Sequence, residues 1–145
     1  MNNISEIKVS YRSTKLPNKT IGCSYDAFDL LKQSCNRNTI ELFEEFKIIL
    51  LNRASHVLGI YTVSSGGVAE VIADAKLIFS VALKTMASGI ILAHNHPSGN
   101  LKPSEADKAL TRSLTKAGAV LQINVLDHVI LTASGYYSFA DKGEI

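Results

Sequence analysis

The chain has 145 residues, 46% of them hydrophobic, and 15 Lys and Arg stand against 13 Asp and Glu for a formal net charge of +2. That length suits one compact unit with a real core, and the composition excludes a disordered or collagen-like chain. Near-neutral charge argues against a chain built around nucleic acid, no apolar run approaches the ~20 residues of a membrane helix, and the first residues lack a basic-then-apolar leader pattern.

In chain order, residues 4–12 (ISEIKVSYR) alternate apolar and polar residues and predict an edge strand, followed by a loop over 13–20. Ser24 is placed to cap a helix to about Gln33, with Ala27, Leu30 and Leu31 on one face. The two cysteines, Cys23 and Cys35, form neither a CxxC pair nor a dense disulfide framework, and read as free thiols of a cytoplasmic protein. Residues 43–52 and 56–64 are strand formers whose short link, Arg-Ala-Ser, predicts a hairpin, and Gly66-Gly67 break the pattern beyond it. Leu77, Ile78, Val81, Ala82 and Met86 recur at helical spacing between Asp74 and Met86. Residues 89–94 (GIILAH) are apolar throughout until the last, which marks a strand covered on both faces. A helix from Ser104 to about Ala117 follows, then strands over 123–133 and 136–141 turned by Ser134-Gly135. Strands and helices interleave, which predicts an α/β three-layer sandwich around a central mixed β-sheet. The whole chain, 1–145, reads as one domain, with residues 1–40 a strand-and-helix extension and 43–145 the core.

The chemistry concentrates where the apolar strand stops. His94 and His96 are two residues apart on a strand, so they project to one face, in line with Ile90 and Leu92. Neutral imidazole is a common zinc ligand, and this spacing lets two rings converge on one ion, although two histidines satisfied by main-chain carbonyls would look the same. Asp107, one turn into the next helix, is the candidate third ligand. It also completes a Ser104-x-x-Asp107 capping box, so capping and ligation compete for it. Asp107, Leu110 and Leu114 share one side of the helix, and a carboxylate on that inward side needs a partner. A catalytic metal also needs a proton acceptor. Of the tandem Glu44-Glu45, strand parity puts Glu44 with Phe46, Ile48 and Leu50, and Glu45 with Lys47 on a face that begins as solvated. Glu44 is therefore the carboxylate directed inward, where burial raises a carboxyl pKa toward neutrality. His128 alternates with Leu126 and Ile130 and reads as a hydrogen-bonded core histidine. Lys102, Lys108, Arg112 and Lys116 give the helix after the site a basic, solvated side. A zinc deaminase would require H-x-E and P-C-x-x-C, and the chain has no CxxC.

Taken together, Glu44, His94-x-His96, ten intervening residues and Asp107 resemble the JAMM metal motif of the JAB/MPN fold, with its cytidine-deaminase-like architecture. The wording HNHPSG, PSEAD, LDHVI and YYSFADKG is similar to that of the RadC family over residues 43 to the end. That resemblance implies Zn2+ held by His94, His96 and Asp107. It makes Glu44 the general base that activates a zinc-bound water, and Ser104 a hydroxyl that steadies the oxyanion, so that the chain would act as a peptidase or isopeptidase on a substrate it does not name. The alternative is an accessory protein of DNA repair or mobile elements that keeps the metal site without hydrolysis. No helix-hairpin-helix pattern occurs in the first 40 residues, and weak, salt-sensitive DNA binding is the expectation for this chain alone.

Overall fold

A computed structural model describes residues 4–14, 19–67 and 73–145. The strand formers on either side of Arg53 do form a hairpin, β1 (Glu44–Leu51) and β2 (Val57–Gly67), paired antiparallel. Before it runs α1 (Ser24–Ser34), and after it come α2 (Ala75–Lys84), β3 (Gly89–Asn95), α3 (Glu105–Val120), β4 (Asn124–Leu131) and β5 (Tyr136–Ser138). The sheet order is β2-β1-β3-β4-β5. Only β3 and β4 run parallel, because α3 carries the chain back between them, and the other pairings are antiparallel. The sheet is thus mixed, as its interleaved elements predict.

Each face of this sheet has its own core. On one face Phe46, Ile48, Leu50, Ile90 and Leu92 pack under Ile78, Phe79 and Ala82 of α2 and Leu114 of α3. On the other, Ile49, Leu51, Ile91, Ala93, Val129 and Leu131 pack under Ala27 and Leu31 of α1. All seven residues of β3 are buried, which is what its continuous apolar run requires. At the end of α3 a Cβ on Gly118 would stand 2.3 Å from the Ile123 carbonyl oxygen, so only glycine lets β4 start so close to the helix.

Four expectations are corrected. Residues 4–12 form no strand: Ile7 and Val9 are exposed, and although Tyr11 Oη donates to the Leu58 carbonyl at 2.5 Å, no main-chain ladder joins the segment to the described sheet. Alternation makes a strand amphipathic but does not supply a neighbour to pair with. Residues 15–18 of the expected loop lie outside the described residues. Ser24 is not the cap of α1; Cys23 holds that position, and the Ser24 hydroxyl donates instead to Asp141 at 2.6 Å. β2 runs through Gly66 and ends at Gly67, past the expected limit at Ser64. Gly67 still pairs with Glu44, and the irregularity is absorbed as a register shift in which Gly66 adopts φ 99°, a left-handed conformation suited to glycine. Lys47 does not lie on a solvated face. It is 8% exposed, its Nζ donates to the Ser34 carbonyl at 2.9 Å and lies 3.6 Å from Glu45, because the C-terminal end of α1 covers this side of β1.

Candidate metal centre

β3 delivers His94 to the α2/α3 face, opposite Phe46 in register, and the two rings lie nearly parallel (6°) with centroids 6.0 Å apart. His96 follows just past the strand, where its main-chain N–H donates to Leu131 O at 2.8 Å and pins the strand end to β4. The chain then turns tightly: Gly99 takes φ 83° and donates to His96 O at 3.1 Å. That turn brings the Asn100 carbonyl back to accept from His96 Nδ1 at 2.6 Å. Ser104 caps α3, with Oγ accepting from Asp107 N at 3.0 Å while the Asp107 carboxylate accepts from Ser104 N at 2.8 Å.

Asp107 caps the helix and also faces both histidines. Besides completing the capping box, it lies 3.4 Å from His94 Nε2 through Oδ1 and 3.5 Å from His96 Nε2 through Oδ2. The two Nε2 atoms are 2.9 Å apart. The ligand atoms of these three residues all fall within 4.8 Å of one another. A tetrahedral ion with bonds of ~2.0–2.1 Å sets its ligand atoms ~3.3–3.4 Å apart, so the two nitrogens, at 2.9 Å, would open by a few tenths of an ångström, while each carboxylate oxygen already stands at about that distance from one of the histidines. Two imidazoles and a carboxylate are the donor set of many catalytic zinc sites. The electrostatics are consistent: burial alone would raise the Asp107 pKa, but the His94 and His96 imidazoles beside it outweigh that and hold the carboxyl well below its usual range. His96 is raised, first by its hydrogen bond to Asp107.

Residues 21–144 match the family model of the RadC-like JAB domain. The chain belongs to the RadC family. A UPF0758 protein of Flavobacterium johnsoniae is 42% identical over 86% of this chain and 53% of its own length. Those of Porphyromonas gingivalis (46% identical, 69% of this chain and 44% of the relative) and Symbiobacterium thermophilum (41% identical, 69% and 43%) are similar to it over a shorter stretch. This RadC-type chain therefore spans about half the length of the curated relatives it matches.

The remaining predicted residues of this RadC-type site are placed as follows. Glu44 opens β1, half-buried. Phe46 pairs with His94, so extending that antiparallel register by two residues sets Glu44 beside His96, and its negative charge is among the causes that raise the His96 pKa. It stands outside the three-residue ligand cluster. Ser104 is exposed at the mouth of the cluster; capping uses a lone pair of its oxygen and leaves its proton available to donate. His128 is fully buried, as expected of a core histidine, but its neighbour Leu126 is 42% exposed, because a register shift early in β4 reverses the alternation. His128 Nε2 bonds His94 Nδ1 at 2.8 Å, and burial holds its own pKa well below normal.

Sequence reasoning missed Thr111 and Asn95. Thr111 is buried against His128, with Oγ1 2.6 Å from Nδ1, and the signal for it was its place four residues after Asp107, on the same helix face. Asn95 points to the opposite face and binds main chain only; no spacing rule singles it out. Cys23 and Cys35 are free. No helix among the described residues is long and apolar enough to cross a membrane.

Proposed function

We propose that this chain is a cytoplasmic zinc-dependent hydrolase of peptide or isopeptide bonds. One observation carries the reading: His94, His96 and Asp107 come together at the C-terminal end of the central strand β3, with a half-buried carboxylate, Glu44, beside them but outside the cluster. Zinc held by the three would act as a Lewis acid on a carbonyl and make water more acidic. Glu44 would take the proton from water and return it to the departing amine. Ser104, whose hydroxyl proton is left available by capping, would donate to the negative charge that grows on the carbonyl oxygen. Phe46 walls the site on the sheet side and limits water around His94. DNA is a weak partner at best on this reading, since a net charge of +2 provides for few phosphate contacts.

The test is hydrolysis of peptide and isopeptide substrates by the zinc-loaded chain and by Glu44→Gln. The amide is nearly isosteric, so the variant keeps its zinc and its fold while losing proton transfer, typically about 10²–10⁴-fold in rate. A zinc-loaded wild-type chain that cleaves no such bond, or a Glu44→Gln variant at full activity, would overturn the proposal and point to an accessory protein that holds metal without hydrolysis.

A further inference from the structure

Beneath the ligand cluster lies a buried relay that no metal-ligand motif includes. His94 Nδ1 is 2.8 Å from His128 Nε2, His128 Nδ1 is 2.6 Å from Thr111 Oγ1, and Thr111 Oγ1 is 2.7 Å from the Asp107 carbonyl oxygen. We propose that Thr111 and His128 are positioning residues that fix His94 in its Nδ1–H form and so aim an unprotonated Nε2 at the metal position. The inference rests on the reading of His94 as a ligand and not on hydrolysis.

The proton positions follow from the far end of the relay. A carbonyl oxygen cannot donate, and two oxygens 2.7 Å apart repel unless a proton lies between them, so the Thr111 hydroxyl donates to Asp107 O. Its oxygen is then the acceptor toward His128, which must carry its proton on Nδ1. Both nitrogens of His128 are taken by Thr111 and His94, neither of them a carboxylate, and the ring is fully buried, which favours its neutral form. Its Nε2 therefore has a lone pair, and the only proton that can occupy the 2.8 Å contact belongs to His94 Nδ1. A neutral His94 with Nδ1–H has its lone pair on Nε2, the atom that faces Asp107 and His96.

His96 has its Nδ1 proton fixed by a shorter route, donating to the Asn100 carbonyl at 2.6 Å, and in the metal-free chain it also supplies the proton in its 2.9 Å Nε2 contact with His94. His94 has no such option. It sits in a central strand, where the neighbouring carbonyls of β1, β3 and β4 serve the ladder, so the partner that sets its tautomer has to be a side chain. The relay is also stiff: His128 is stacked on Phe139 (centroids 4.9 Å apart, 16° between planes) and meets the Phe46 ring edge-on. Thr111 ties the relay to Asp107 itself, so ligand and tautomer lock share one turn of α3.

The experiment uses the full chain labelled with ¹⁵N-histidine. Long-range proton–nitrogen spectra report the tautomer of each ring in the metal-free protein at about pH 9, above the ordinary imidazole range. Chelator competition gives zinc affinity for wild type, Thr111→Val and Thr111→Ser. His94 and His128 should both be Nδ1–H in wild type. Thr111→Val, which keeps the shape and removes the acceptor, should release His128 from that form and weaken zinc binding about 10–100-fold, and Thr111→Ser should restore both. If Thr111→Val does not fold, Thr111→Ala takes its place. Nε2–H on His94 in the wild type would overturn the proposal, as would unchanged tautomers in the valine variant, whatever its affinity. A wild-type chain that binds no zinc yet shows both rings as Nδ1–H would remove the metal reading and leave the lock standing.

Discussion

His94 and Asn95 are neighbours at the end of β3, each 5% exposed, and they face opposite sides of the sheet. Asn95 spends its amide on the main chain: Oδ1 accepts from Glu45 N at 2.7 Å, and Nδ2 donates to Ile40 O at 2.8 Å and Phe43 O at 2.9 Å. These bonds clamp the segment that leads into β1, and with it the start of the strand that holds Glu44. His94 is equally buried, but its bonding on one nitrogen leaves the other aimed at His96 and Asp107, a group with three convergent donor atoms. Two polar residues of equal burial thus do different work. A buried side chain satisfied by backbone holds the fold, whereas one satisfied by other side chains on one edge keeps a free edge for chemistry.

The sharpest way to break that comparison is to remove one residue from the metal side. His96→Ala should abolish stoichiometric zinc binding, measured by metal analysis after dialysis, because a carboxylate and a single imidazole are too few ligands. Its melting temperature in the metal-free state should change modestly, since His96 lies past the strand and the Asn95 clamp is untouched. A variant that retains full zinc occupancy would show that the cluster is not the ligand set.

The two sides should also differ in their response to pH. The His96 pKa is raised, chiefly by Asp107, so in the metal-free chain it stays protonated above the ~6.5 of an ordinary imidazole. The stability this pair contributes is fully present below ~6.5 and is lost as pH rises through the raised folded value; Asp107, whose pKa is lowered, contributes above its unfolded value of ~3.9 and loses that only as pH falls well below it. Zinc must displace the His96 proton, so its affinity should rise by up to about tenfold per pH unit until the His96 pKa is passed, then level off. Calorimetric titration in buffers of different ionisation enthalpy counts the released proton. Affinity independent of pH across this window would contradict the assignment of His96. Asn95 does not titrate, so the clamp should hold equally throughout.

Asn95→Ala tests the other side. It leaves Glu45 N and two carbonyls without their partner, and each buried unsatisfied group costs about 1–3 kcal/mol, offset where water reaches it. A loss of about 2–4 kcal/mol in denaturant unfolding is expected, with zinc still bound. Zinc loss without destabilisation would mean that the two faces are not separate in function.

How far this division was legible in the sequence depended on whether a residue's role is local. The hairpin, α2, β3 and α3 follow from periodicity, and Ser104 with Asp107 follows from capping spacing, because those signals lie within a few residues. Residues 4–12 show the limit: the alternation is present, but pairing is decided by a distant strand edge. Lys47 shows it again, since its charge predicts solvent while the Ser34 carbonyl at the end of α1 supplies a buried partner. In β4 one register shift was enough to move Leu126 outward while His128 stayed inward. The two histidines of the candidate site were visible because a strand puts i and i+2 on one face; Thr111 and His128 were not visible as a pair, because α3 and β4 bring them together only in the fold.

The smallest expected effect concerns the glutamate next to the proposed base. Glu45 lies on the Asn95 face, its N–H held by the clamp and its carboxylate 3.6 Å from Lys47 Nζ. Glu45→Gln keeps an oxygen that can accept from Lys47, and Lys47 retains the Ser34 carbonyl at 2.9 Å, so the ammonium is not left alone. Its carboxylate is 25% exposed, and an ion pair of that kind contributes below about 1 kcal/mol. Stability should shift by no more than that, and zinc content and hydrolysis should match wild type, while Glu44→Gln one residue away loses turnover. The contrast depends only on which face of β1 each carboxylate occupies, because the two residues share charge, size and strand. If Glu45→Gln abolished hydrolysis and Glu44→Gln left it whole, the assignment of faces at the start of β1 would be reversed, and the proton acceptor would have to be sought on the α1 side.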